Sequence, residues 1–135
     1  SFTDGLIVVS VLESVDDYYK EGNALHHCVG QCEYYLKPKS LVFSARINDN
    51  RIETVELSLE NFKVLQSRGL CNQNTDYHDR IIQLVQKNAR QIRKRMTALS
   101  VLFISSATCY DIQCSRWLLC IRLRLLVDCR SDVLF

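Results

Sequence analysis

The run Leu6–Leu12 (LIVVSVL) follows Asp4-Gly5, is rich in β-branched residues and predicts a short buried strand. Ser14, with Asp17 three residues on, then predicts a capped helix start. Val15, Tyr18 and Tyr19 supply its apolar face and Gly22 its end. Residues 23–37 read as a short helix, or a helix and loop, closed by Pro38. Beyond it, residues 41–47 (LVFSARI) and 53–59 (ETVELSL) both alternate with a period of two, and the intervening NDNR tolerates left-handed backbone, which together predict a β-hairpin. The apolar pattern suggests pairing Ala45 with Val55, Phe43 with Leu57 and Leu41 with Leu59. In that register Arg46 lies on the opposite face, across from Thr54 and diagonal to Glu56, within reach of an ion pair.

Phe62–Gln66 reads as a third strand of the hairpin region, stopped by Ser67, Arg68 and Gly69. Thr75 or Asp76 then caps a long amphipathic helix in which Ile81, Ile82, Val85, Ala89, Ile92 and Met96 recur at helical spacing. Its other face carries Lys87, Arg90, Arg93, Lys94 and Arg95, placed where cations complement the helix dipole. These elements predict an α+β domain: a three- to four-stranded antiparallel sheet, the first strand at its edge, with helices packed on one face.

Composition divides this picture near Met96. All four glycines, the single proline, every lysine and every glutamate precede that residue, whereas the single tryptophan and four of the seven cysteines follow it. Residues 1–96 are therefore expected to form the domain and 97–135 an atypical tail. Its lack of turn residues and of a stable period favours out-of-frame translation. The alternative is a poorly packed final helix with the stripe Trp117, Leu118, Ile121 and Leu125. Cys109, Cys114, Cys120 and Cys129 lack the knuckle spacing of a zinc site, so no function is drawn from them.

At 135 residues the chain suits one domain, and a net charge of +2 selects no polyanionic partner. No apolar run approaches the roughly 20 residues of a membrane span, and the start lacks the basic segment of a signal peptide. A cytoplasmic chain with reduced thiols and no membrane association is expected. The opening at Ser1, directly into an apolar run, predicts a domain truncated at its N-terminus.

Four constellations could carry chemistry. Cys28 with His26 and His27 offers a nucleophile and a base, although neighbouring side chains on a helix diverge, so His78 or Asn72 would be the better partner for the thiol. The bland alternative is a buried Cys28 beside a hydrogen-bonded His27. Cys28, Cys32, Cys71 and His78 could approach a metal, but their spacing matches no common zinc module, and no metal or cofactor is assigned. Arg46, Glu56, Gln66, Arg68 and Asn72 form a candidate binding surface, with Arg68 and the backbone at Gly69 suited to a phosphate or carboxylate. The plain alternative there is a hairpin salt bridge and a turn glycine. Finally, Lys87, Arg90, Arg93 and Lys94 could touch nucleic-acid phosphates, or could simply be a solvated helix face.

The segments EGNALHHCVGQCEYYLKPKSLVFSARI, RIETVELSLENFKVLQSRGLCNQNT and YHDRIIQLVQKN are closely similar to the PcfJ-like proteins of bacterial mobile elements. The resemblance spans about residues 5–96. It rests on His27-Cys28-Val29, the Arg46 strand, Glu53-Thr54-Val55-Glu56, and Gln66-Ser67-Arg68-Gly69 followed by Asn72. It implies an accessory protein of a conjugation-associated element, binding a protein or a nucleic acid, and brings no reaction with it. The rival expectation is an enzyme using Cys28 and His27 with Arg46, Glu56, Gln66 and Arg68. Convergence of these side chains in one pocket would favour the enzyme, and dispersal over a flat face the binding module.

Overall fold

The computed structural model describes residues 1–104, in the order β1 (Phe2–Thr3), β2 (Val8–Val11), α1 (Val15–Leu25), β3 (Ser40–Ile47), β4 (Asn50–Ser58), β5 (Val64–Arg68) and α2 (His78–Ile104). The strands form one antiparallel sheet in the order β1-β2-β3-β4-β5. The domain is thus α+β, with five strands instead of the three or four expected. The extra strand is the two-residue β1, too short to show a period, and it displaces β2 from the edge. The chain divides into two compact units, Ser1–Arg90 and Gln91–Phe135, and the sheet belongs to the first. The boundary expected at Met96 falls within α2; the tail helix proposed on Trp117, Leu118, Ile121 and Leu125, and the four tail cysteines, lie outside the described residues.

The hairpin register differs from the expected one by two residues. Leu41 faces Leu57, Phe43 faces Val55 and Ala45 faces Glu53. The cause is the turn: Asn48 and Asp49 both take positive φ, 48° and 65°, so two residues suffice to reverse the chain and β4 starts at Asn50. Because the slip is an even number, the buried set Phe43, Ala45, Val55 and Leu57 keeps its face. One further irregularity follows. Ala45 pairs with Glu53 but Arg46 with Arg51, which leaves Ile52 as an extra residue on β4. This bulge turns Arg51 onto the face that carries Thr54.

That face receives α1. Its start is the expected capping box, with the Asp17 amide donating to Ser14 Oγ and the Ser14 amide to the Asp17 carboxylate, each at 3.1 Å. Ser14→Ala is expected to cost about 1 kcal/mol in urea unfolding, since it removes the hydroxyl that accepts from the Asp17 amide. The helix passes Gly22 and ends at His26, which takes a left-handed conformation. Its buried residues are Tyr18, Glu21, Gly22 and Leu25, not the Val15–Tyr18–Tyr19 stripe expected, and Tyr19 is exposed. Tyr18 joins Leu12, Val29 and Val42 in a small core against which Tyr34 and Tyr35 pack. Residues 23–37 supply the end of α1 and then turns, with only a short 3-10 turn at Tyr34–Leu36.

The opposite face holds Glu53, whose carboxylate accepts from the Thr75 amide and from His78 at the start of α2. The two helices therefore reach the sheet from different sides, not from the one face expected. Within α2, Ile81, Leu84, Val85 and Ala89 are buried and Lys87, Arg90, Arg93 and Lys94 are exposed. No helix among the described residues is long and apolar enough to cross a membrane.

Candidate functional site

Three segments meet over the Thr54 face of the sheet. The first is the turn after α1. Gly22 is needed here, because a Cβ would stand 2.8 Å from the His27 carbonyl oxygen, so only glycine lets residues 27–29 fold back onto the helix. The second is the strand pair β4–β5, where Thr54 faces Arg68 and Glu56 faces Gln66. The third is the loop after β5, where Cys71 and Asn72 take positive φ of 52° and 62°. Gly69 lets this loop close against β4, since a Cβ there would meet the Ile52 carbonyl at 2.8 Å.

Together they enclose a cavity of about 50 Å³ lined by His27, Cys28, Glu56, Gln66, Arg68 and Asn72, with Val29, Tyr34, Val42 and Thr54 completing the wall. His27, Cys28 and Asn72 also line a wider cleft of about 620 Å³ that runs past Tyr19, His26 and Gln31. Six of the seven residues singled out for catalysis or binding in the sequence thus converge. The exception is Arg46. It faces Arg51 and Val8, and its Nε donates to Ser44 Oγ at 3.1 Å. The ion pair expected with Glu56 does not form, because the two-residue turn and the bulge carry Arg46 away from it.

Glu56 is instead fixed by others. Its carboxylate accepts from Lys37 Nζ (3.0 Å), Ser40 Oγ (2.7 Å) and Gln66 Nε2 (2.8 Å). Burial acts to raise its pKa, but hydrogen bonds from Ser40, Lys37 and Gln66 outweigh that effect and lower it. The group is an anion whose charge Lys37 neutralises. Gln66 Nε2 also donates to Tyr34 Oη at 3.0 Å, which pins the amide and leaves its carbonyl oxygen as an acceptor. Lys37 Nζ sits 3.4 Å over the Tyr34 ring. Arg68, at the exposed rim, donates to the neutral Asn74 Oδ1 at 3.1 Å and has no carboxylate partner among the described residues.

Behind the cavity lies a relay that sequence reasoning missed. His27 Nε2 is 2.9 Å from Thr54 Oγ1, which donates to Glu21 Oε1 at 2.8 Å, while Arg51 Nε donates to Glu21 Oε2 at 2.6 Å. Thr54 has one proton and gives it to Glu21, so His27 must be the donor to Thr54. The ring therefore carries its proton on Nε2 and keeps Nδ1 as the basic nitrogen. Burial lowers the His27 pKa and favours this neutral form. The available signal was Glu21 itself, a glutamate on the buried stripe between Tyr18 and Leu25.

The Cys28 thiol is exposed, which corrects the reading of it as a core cysteine, whereas His27 is indeed hydrogen-bonded. His78 cannot serve Cys28, because its Nδ1 is bound to Glu53 on the other face. The same bond removes it from the proposed set with Cys32 and Cys71, and no group of three or more His, Cys, Asp or Glu converges for a metal among the described residues.

A family model described as PcfJ-like protein matches residues 1–82. The chain belongs to the PcfJ-like family. The match takes in every residue of the PcfJ-like cavity and stops within the first turns of α2, short of residue 96. No curated protein and no solved structure matches the chain.

Proposed function

We propose that this PcfJ-like protein is an accessory module of a bacterial mobile genetic element, and that it works by binding a ligand with a carboxylate or phosphate group in the His27–Asn72 cavity. The observation that carries the reading is the convergence of Arg68 and Asn72 on the cavity while Glu56 is already neutralised by Lys37. Arg68 is then the uncompensated charge at the mouth of a cavity that Asn72 also lines, a combination suited to a planar or tetrahedral anion. The wider cleft past Cys28 has room for the rest of such a ligand. An enzyme using Cys28 and His27 would occupy the same cavity. His78, however, is held by Glu53 on the other face of the sheet and does not reach the thiol.

Titration of the protein with N-acetylglycine and with inorganic phosphate, followed by amide NMR shifts, tests the proposal. Shifts are expected at the Gln66 and Asn72 side-chain amides, and Arg68→Ala is expected to weaken binding roughly 10- to 100-fold, the value of a charged hydrogen bond. Arg68→Lys should restore it only in part. Because Arg68 is exposed, both variants should fold. Equal binding by wild type and Arg68→Ala would remove the anion from the reading. A response to one probe alone would identify the ligand as carboxylate or phosphate.

A further inference from the structure

The turn that carries Cys28 into the cavity also carries Cys32, and the family-level resemblance assigns no task to the pair. The Cys32 amide donates to the Cys28 carbonyl at 2.6 Å, closing a single turn that places the two side chains on one side. Both cysteines are exposed. Residues four apart on such a turn hold their Cβ atoms about 5–6 Å apart, whereas a disulfide requires about 4 Å. The difference lies in a surface turn between α1 and the Tyr34–Leu36 turn, not in a strand. The thiols also interact directly: a hydrogen bond to Cys28 raises the pKa of Cys32.

We propose that Cys28 and Cys32 are a peroxide-reactive thiol pair, with Cys28 attacking and Cys32 resolving. The Cys28 thiolate sulfur attacks one oxygen of hydrogen peroxide, the O–O bond breaks, and the departing hydroxide takes a proton and leaves as water. Cys28 is then a sulfenic acid. Cys32 sulfur attacks Cys28 sulfur, the S–O bond breaks, and the second hydroxide leaves with the Cys32 proton as water. Two thiols are oxidised to one disulfide and one peroxide is reduced to two waters. Because Cys28 lines both the cavity and the wider cleft, the bridge alters the wall they share. The proposal stands whether or not the cavity takes an anion.

The full chain, freed of reductant, is treated with hydrogen peroxide, blocked with N-ethylmaleimide and digested with trypsin. Both cysteines fall in one tryptic peptide, between Lys20 and Lys39. The expected product is that peptide two hydrogens lighter and free of both maleimide labels. In Cys32→Ser the same treatment should leave Cys28 as sulfenic acid, trapped by dimedone, or over-oxidised. In Cys28→Ser, Cys32 should keep its label. Repeating the oxidation in guanidinium should abolish the preference for this pair over pairings with Cys71 and the later cysteines. Cys28 ending as sulfinic acid beside a labelled Cys32 in the wild type would overturn the proposal, as would an equal yield of the bridge in the denatured chain.

Discussion

Glu53→Ala is expected to lower the unfolding free energy by about 1–3 kcal/mol, the cost of leaving a buried donor without its acceptor. The side chain is wholly buried and accepts four hydrogen bonds: from Ser67 Oγ at 2.5 Å, the Thr75 amide at 2.8 Å, Thr75 Oγ1 at 2.6 Å and His78 Nδ1 at 2.9 Å. It therefore ties β4 to β5 and to the entry of α2, and holds both ends of the loop that presents Asn72. Alanine leaves the Ser67 hydroxyl without its acceptor inside the fold, while Thr75 and His78 can turn toward water. Burial acts to raise the Glu53 pKa, but the bonds from Ser67, Thr75 and His78 prevail and lower it below 4.5. A lowered native pKa means that the stabilisation is complete above the unfolded value and is lost as pH falls through the native one. The deficit of Glu53→Gln relative to wild type is thus expected to grow as pH rises toward 4.5. Denaturant curves taken between about pH 2 and pH 7 check this. A deficit independent of pH would mean that the carboxylate's charge contributes nothing.

The sequence revealed the membership of the cavity better than its geometry. Thr54, Glu56, Gln66 and Arg68 share a face because side chains alternate along strands, and this survives any slip by an even number of residues. That is why Glu56 and Gln66 share a face whatever the register between β3 and β4. Arg46 was misplaced for a complementary reason. An inserted bulge residue has no signature in an alternating pattern, and Ile52 looks like any other strand residue until the ladder is seen. Turn length posed the same difficulty. NDNR supplies four residues that tolerate left-handed backbone, and only two of them, Asn48 and Asp49, use it. The loop 27–33 and the relay through Thr54 to Glu21 depend on contacts between residues 27 and 33 positions apart, which no local period encodes.

Glu21 provides the sharpest contrast with Glu53, since the two buried carboxylates should titrate with opposite consequences for stability. Burial raises the Glu21 pKa above 4.5, against hydrogen bonds from Ser44, Thr54 and Arg51. A carboxyl whose native pKa is raised binds its proton more tightly in the folded chain. Its contribution to stability is therefore greatest below the unfolded value and declines as pH rises through the native one. Glu21→Gln is thus expected to close on wild type as pH rises above 4.5, where Glu53→Gln has reached its full deficit. Glu21→Ala should cost about 3 kcal/mol at neutral pH, because it strands Arg51 and the Thr54 hydroxyl. Arg51, whose side chain is 22% exposed, can recover part of that loss from water. The glutamine variant has a second readout at the site. Its amide can donate to Thr54 Oγ1, which frees the Thr54 proton to turn toward His27 Nε2 and drive the ring to its Nδ1–H tautomer. Imidazole nitrogen shifts distinguish the two tautomers directly. An unchanged Nε2–H ring in Glu21→Gln would show that the carboxylate does not set the proton position of His27, and a Glu21→Gln deficit that widens with pH would show that Arg51, not burial, governs Glu21.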